Sequence, residues 1–564
     1  MSTNMKEIEF QAASYEQWKE QAVSALKGKP FESLFTKTIE GVTLEPLYTQ
    51  EMLLEKLGDQ LEKQVSTIRT LSATTGLDVA QQITGDSTEE FIANLEESLA
   101  RGNDVITIDS RVPFTWDNSI VGKLADYLTE YSFKLIIQNE NDPILSVFDK
   151  IEEAKRAEVE GYIVSDQAIQ LSNYPKVRTS GANTVKYHNN GANAVQELAI
   201  ALALASKYAG QEGSYEKFAS KFFVNFAIDT QFFAEIAKLR AFKVLWKAFS
   251  SAFDAEAIAV PIVAETSVRS FSKVDVYVNL LRAGNEAFAG AIGGADVFTV
   301  HPHDVLSRPT NQSTRIARNV LLVTKEESLV LNVQDPSGGS YFIESLTADF
   351  VKEAWELFLE IEEAGGIDAY EEKLTEQIDA VYADRLKAVE TRKASLIGTN
   401  IYANPVDEIA TEENIQFTDV KRLAIPFENI RREFAAANIK IGILTFGQLK
   451  NFKARADFVA GVFATAGVVA EQSDAISSME EAKAWLNNSD FDYVVVAATD
   501  DDTKALVPAL LEGKRAGLVL DAAGKYKEEE AEWTAKGLNG FVFAGQNIIE
   551  KLNSVAASVK EVQR

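Results

Sequence analysis

Between residues 45 and 344 short β-rich runs alternate with longer helical patterns, and this alternation limits the fold more than any other feature of the chain. The β-rich runs are 105–109, 134–138, 161–164, 186–188, 222–226, 259–264 and 297–300, and amphipathic segments such as 194–208 and 231–249 separate several of them. Strand then helix, repeated over roughly 300 residues, calls for parallel βα units, and a (β/α)8 TIM barrel of about 250 residues with extensions fits that length. An open doubly wound sheet satisfies the same periodicity. From Ile439 the pattern tightens: IKIGILTF, YVVVAA, GLVLDA and GFVFAG read as buried strands, and one intervening helix opens on a Ser478-x-x-Glu481 capping box. Five strands with helices in about 125 residues predict a flavodoxin-like doubly wound sheet, which binds ligands beyond the carboxyl ends of its strands.

The remaining segments punctuate this plan. Residues 1–45 read as a polar arm, with Trp18, Val23 and Leu26 at rough helical spacing and Gly28-Lys29-Pro30 as a breaker. Such an arm has no core of its own and must pack on the next domain or on another chain. Residues 46–346 are the expected barrel. Residues 347–437 are helical, acidic and end in an irregular piece with an Asn404-Pro405 turn, as expected of a connector; residues 438–564 form the last domain.

Charge and composition narrow the function. A net charge of −28 argues against nucleic acid and anionic membranes, both of which need basic patches. The absence of cysteine removes disulfides, thiolate metal sites and thiol nucleophiles, and fits a cytoplasmic protein. The segment MSTNMKEIEF lacks the basic start and apolar core of a signal peptide, and no nearly uncharged run reaches the roughly 18 residues of a membrane span.

Candidate ligand-facing residues gather in the stretch 293–344. It holds His301 and His303, two of three histidines, with Arg315 and Arg318 on one helical turn. A strand end, a polar loop, a helix and then a Gly338-Gly339 turn leading into a hairpin strand is how a barrel presents side chains to a ligand.

Several motifs in one order make the chain similar to the methylmalonyl-CoA mutase family: TIEGVTLEPLYT (38–49), STEEFIANLEESLARG (87–102), FFAEIAKLRAFKVLW (232–246), RIARN (315–319), DPSGGSYFIE (335–344) and RLAIPFENIRREF (422–434). The resemblance implies an acyl-CoA-type barrel followed by a cobalamin-type domain, and the adenosylcobalamin-dependent interconversion of (R)-methylmalonyl-CoA and succinyl-CoA. Cobalamin-binding members carry Asp-x-His-x-x-Gly after the first strand of the last domain; here Leu449, Asn451 and Ala454 stand at those positions. Asn offers cobalt no imidazole nitrogen, and Leu cannot orient one. The Ser-x-Leu element has become Ala497-x-Thr499, followed by Asp500-Asp501-Asp502, whose charge would repel a nucleotide tail. Ala522-Ala523 replaces Gly-Gly, with methyl groups against close backbone approach. In the barrel Ile83 replaces the family's tyrosine and Gln81 its arginine, while His188 matches the histidine that contacts the thioester and His301 matches another at the mouth. The loop after His188 is shortened, which reduces it to a remnant.

The resemblance with these departures therefore implies a small subunit with no catalytic, cofactor or metal residues of its own. It would pair as a heterodimer with a homologous large subunit that binds adenosylcobalamin. A stand-alone acyl-CoA-binding, regulatory or chaperone protein and a self-sufficient mutase with an unusual cobalamin site are the alternatives.

Overall fold

Eight parallel strands close into a ring between residues 78 and 299 of the computed structural model, which describes residues 13–73 and 76–562. They are β1 Asp78–Val79, β2 Val105–Asp109, β3 Ser132–Ile136, β4 Gly161–Val164, β5 in two pieces (Val177–Arg178 and Ser180–Asn183), β6 Phe222–Ile228, β7 Ile262–Thr266 and β8 Val297–Thr299. The first piece of β5 pairs with β4 and the second with β6, which carries the sheet around the corner. At the other seam β8 pairs with β1, and a parallel bridge from Gln82 to Thr107 joins β1 to β2. The barrel expected from the alternation is present.

Two expected strands are helical. Residues 186–188 lie in the helix Val185–Asn190, and the strand of that unit is the preceding β5. Its Ser-Gly-Ala-Asn sequence has little β propensity, but the barrel needs a small residue there: a Cβ on Gly181 would sit 2.5 Å from the Phe223 ring. The second is the hairpin after Gly338-Gly339. The turn is real, with Gly339 at φ +88, but Ser340 then caps a helix, its side chain accepting from the Ile343 amide. Ile343, Leu346, Phe350, Ala354 and Phe358 recur at helical spacing over Tyr341–Glu363 and bury one face against the barrel. That 23-residue apolar stripe outweighs the local β preference of Tyr-Phe-Ile.

The barrel interior is filled. Tyr162 and Phe223 meet edge to face at 5.2 Å, surrounded by Ala80, Val105, Val164, Val263 and Val297. Level with Tyr162 on the neighbouring strand, fully buried Lys134 pairs with Glu265 at 2.7 Å. These side chains form the packed interior that is usual for a closed barrel.

The helix Ile367–Glu390 links the two halves: Ile367, Tyr370, Leu374 and Ile378 pack in the barrel core, whereas Val389 belongs to the core of the last domain. That domain is a parallel sheet of β9 Ile441–Thr445, β10 Glu471–Gln472, β11 Tyr493–Ala497, β12 Val519–Ala523 and β13 Gly540–Val542, in the order β10-β9-β11-β12-β13. This is the flavodoxin-like order, with its switch point between β9 and β11. Of the amino-terminal arm, residues 1–12 (and so MSTNMKEIEF) lie outside the described residues; the helix Tyr15–Ala25 buries none of its residues, and Trp18 touches Phe31 at 6.1 Å between ring centres. Among the described residues no helix is long and apolar enough to cross a membrane.

Candidate functional site

The two places to look for chemistry are the carboxyl ends of the barrel strands and the switch point of the second sheet. At the barrel, His188 is completely buried. Its Nδ1 lies 2.8 Å from Glu197 Oε1 and its Nε2 2.7 Å from Ser267 Oγ. Behind it Lys238 contacts Glu197 at 3.2 Å and Glu235 at 2.6 Å, and Arg269 pairs with Asp229 at 2.5 Å while donating to the His188 and Ala192 carbonyls. Burial and the Arg269 guanidinium push the imidazole down to about 4, against the pull of Glu197. His188 is thus a neutral ring with both nitrogens engaged, part of a wall of ion pairs.

This has a measurable consequence. The unfolded chain takes up a proton at His188 below the ordinary value near 6.5, and the native protein does so only near 4, so native stability falls as pH drops through that window. The loss attributable to this group is on the order of 3 kcal/mol by pH 4. Urea midpoints at pH 7 and pH 4.5 should diverge more for the native sequence than for His188→Gln, which has no proton to gain. Equal divergence would rule the account out.

His301 is also buried. Its Nε2 is 3.5 Å from Glu265 and its ring meets Phe417 at 5.1 Å. Burial works against charge on Glu265, but the Lys134 ammonium and His301 outweigh it and hold the carboxyl below its ordinary range. His303 packs on Tyr277 at 5.1 Å instead of facing a ligand.

Phe417 belongs to a strap that crosses the barrel mouth and was unforeseen from the sequence. The Asn414 amide donates to the Leu306 carbonyl, Gln416 Nε2 to the Arg111 carbonyl, the Lys421 amide to the Asn189 carbonyl and the Leu423 amide to the Arg269 carbonyl. Gln82 Nε2 donates to Gln416 Oε1 at 2.8 Å, and Lys273 pairs with Glu413 at 2.6 Å. The strap thereby ties the loops after β1, β2, β5, β7 and β8 together. Beside it remains a cavity of about 990 Å³, lined by Ile83, Arg111, Arg315, Arg318 and Gln416 among others. Arg318 contacts Glu97 at 3.3 Å, and exposed Arg315 has no ion-pair or hydrogen-bond partner among the described residues. The cavity lining contains no histidine, lysine or tyrosine; its ionisable side chains are the carboxylates Asp86, Glu90, Glu97, Glu412 and Glu413 and the arginines Arg111, Arg308, Arg315 and Arg318.

At the switch point the loop after β9 is only Phe446 to Gln448 before the helix Leu449–Thr465 begins. Leu449, Asn451 and Ala454 therefore sit on its first two turns, Leu449 and Ala454 exposed and Asn451 half-buried. From the next position, Arg455 reaches across the cleft: Nη2 lies 2.5 Å from Asp500, and Nη1 donates to the Ala498 carbonyl and to the Tyr526 hydroxyl at 2.9 Å. Tyr526 in turn donates to Asp500 at 3.1 Å. Hydrogen bonding to Arg455 lowers the Asp500 carboxyl below its usual range. Asp500, Asp501 and Asp502 form the first turn of the helix Asp500–Gly513, where the helix dipole favours them. Ala522 and Ala523 lie within β12 with their methyls in the two flanking cores, so they support packing and do not themselves block a ligand. The residues here do not fit cobalamin: no imidazole is offered, and a partly exposed salt bridge spans the switch point. Among the described residues no cluster of three His, Cys, Asp or Glu forms a metal site.

Comparison with known proteins joins these observations. The methylmalonyl-CoA mutase family profile matches residues 162–440, from β4 to the start of β9. The methylmalonyl-CoA mutase small subunit of Porphyromonas gingivalis is 30% identical over 97% of this chain and 97% of its own length. The small subunit of Propionibacterium freudenreichii subsp. shermanii is 28% identical over 70% of this chain and 65% of its own length. The methylmalonyl-CoA mutase of Cereibacter sphaeroides is 29% identical over 74% of this chain and 67% of its own length. With a barrel, a flavodoxin-like sheet and a relative aligned nearly end to end, the chain belongs to the methylmalonyl-CoA mutase family.

Proposed function

We propose that this chain is the small, non-catalytic subunit of a heterodimeric methylmalonyl-CoA mutase of the cytoplasm. Its homologous large subunit would bind adenosylcobalamin and interconvert (R)-methylmalonyl-CoA and succinyl-CoA by radical rearrangement. Residues 46–346 would be an inherited acyl-CoA-type barrel, 347–437 the connector, 438–564 a cobalamin-type domain without ligands, and 1–45 an arm for the partner. The observation that carries this reading is the switch-point cleft, bridged by Arg455, Asp500 and Tyr526 where a cofactor would lie.

Co-expression with a large subunit is expected to yield a 1:1 complex with mutase activity, and a large subunit equally active and stable alone would end the proposal. The isolated chain is expected to stay colourless after mixing with adenosylcobalamin and desalting. So is the triple variant Leu449→Asp, Asn451→His, Ala454→Gly, because restoring three side chains neither lengthens the loop nor removes the bridge. Cobalamin absorbance retained by that variant would show that ligand loss alone emptied the cleft.

A second reading, an acyl-CoA-binding or regulatory protein, is favoured by one feature: the 990 Å³ cavity with unpaired Arg315 on its wall. Calorimetry with succinyl-CoA separates the two, since the small-subunit reading expects no heat from the isolated chain.

A further inference from the structure

An outer helix of a barrel turns one face to the sheet and the other to water, and the water face is normally charged. The helix Thr88–Ala100 follows this rule, exposing Glu89, Glu90, Glu96 and Glu97. The helix Val278–Gly293 does not. Its two charged residues, Arg282 and Glu286, are both buried on the inner face. Its outer face, extended by the capping Tyr277, carries Tyr277, Leu281, Gly284, Asn285 and Phe288, with Tyr277 71% and Leu281 72% exposed. No charge faces solvent along sixteen residues, in a chain in which 25% of residues are charged.

The positions 277, 281, 284 and 288 are spaced four, three and four apart, which is the seam spacing of a helix that packs on another helix. A Cβ on Gly284, at the centre of the stripe, would meet nothing within 4 Å, so the seam has open space where a second helix would approach most closely. The surface continues beyond the helix: Phe288 stacks on Phe232 at 5.9 Å, and Phe232 touches Phe233, itself 51% exposed. At the roughly 150–250 Å² that an aromatic side chain presents, the exposed parts of Tyr277, Leu281, Phe288 and Phe233 amount to about 450 Å², within the range of the largest apolar patch on a single chain, which is often functional.

We infer that this outer face is the docking seam for the homologous large subunit, packed helix to equivalent helix. The spacing asks for a helix in return, and the lack of charge disfavours acidic or basic peptides. A stripe with aromatic ends about a glycine centre matches its own antiparallel copy, as a two-fold or pseudo-two-fold contact requires. A chain of the same fold carries an outer helix at this place. The identity of that chain as the large subunit rests on the small-subunit reading above.

Two measurements on the full-length chains test this. The protein has no cysteine, so Asn285→Cys labelled with benzophenone maleimide places one photoreactive group at the rim of the seam. Irradiating the assembled complex should give a covalent adduct to the large subunit, within its equivalent helix. An adduct to a second copy of this chain, or to another part of the large subunit, would overturn the inference. Second, Leu281→Lys combined with Phe288→Glu should weaken association of the two chains by at least about 30-fold in sedimentation, the effect of a central interface residue. Unchanged association with the double variant would remove the seam alone. Failure of the unmodified chains to associate would instead remove the small-subunit reading, and the docking partner with it.

Discussion

Replacing Arg240 by methionine is expected to destabilise the protein by about 3–5 kcal/mol, the cost of stripping one partner from a buried ion-pair cluster. The side chain is fully buried in the helix Phe232–Ser251. Its Nε and Nη2 form a fork on Asp335 at 2.9 and 3.0 Å, Nη2 also reaches Glu344 at 2.6 Å, and Nη1 donates to Thr347 at 3.0 Å. Burial opposes the charge on Arg240, but hydrogen bonds to Asp335 and Glu344 more than compensate. Methionine fills the stem of the cavity and leaves two buried carboxylates facing each other. Arg240→Lys keeps the charge but cannot span both acceptors, so it should fall between the two. Adding Asp335→Asn and Glu344→Gln to Arg240→Met should recover much of the loss, because the penalty lies in unpaired charge and not in missing attraction. Guanidinium unfolding of the four proteins decides it; a cost below about 1 kcal/mol for Arg240→Met would refute the account.

That cluster explains what the stretch 293–344 is for. Its DPSGGSYFIE motif was legible as a signature, but its carboxylates serve Arg240 from FFAEIAKLRAFKVLW, and the Gly339 amide donates to Glu344 at 2.9 Å. The motif anchors an outer helix. A signal for this was present in the sequence: Glu235, Lys238, Arg240 and Lys243 are four of the five charges in a mostly apolar helix, and these four are buried. Buried charges need partners: Glu235 pairs with Lys238 on the same helix, while Lys238 and Arg240 also reach carboxylates on other elements. Most barrel strands were legible because β-branched and aromatic runs such as Val105–Asp109 and Phe222–Ile228 carry their own propensity. The second piece of β5 was not, since its small residues are dictated by Phe223 across the barrel. The strap was illegible for a related reason: Gln416 finds Gln82 across 334 residues of chain, and no local pattern encodes such a pairing. The side chains at Leu449, Asn451 and Ala454 were legible position by position, whereas the Arg455–Asp500–Tyr526 bridge beside them required side-chain geometry.

Lys238→Met should disturb the barrel mouth as severely as Arg240→Met disturbs the outer ring, and in a way that reports on His188. Lys238 Nζ contacts Glu235 at 2.6 Å, Glu197 at 3.2 Å and the Ala227 carbonyl at 2.7 Å, with no exposure to water. Burial opposes its charge, and the two carboxylates keep it protonated. Without it Glu235, already pushed up to about 7 by burial, takes a proton. Glu197 is left with His188 as its hydrogen-bonded neighbour at 2.8 Å. The imidazole should then rise from about 4 toward its ordinary range or above it, because an imidazolium is the nearest available counter-charge. The expected result is a loss of about 3–5 kcal/mol at neutral pH together with an upward shift in one histidine titration. The chain has three histidines, so histidine-selective NMR resolves which one moves. Unchanged stability with an unshifted His188 would mean that the ion-pair wall does not govern the ring. The same variant separates structure from catalysis: if His188 serves only this network, complexes containing Lys238→Met should form in lower yield yet turn over at the native rate per intact complex. A fall in that rate, without loss of assembly, would reopen the case for chemistry at this barrel mouth.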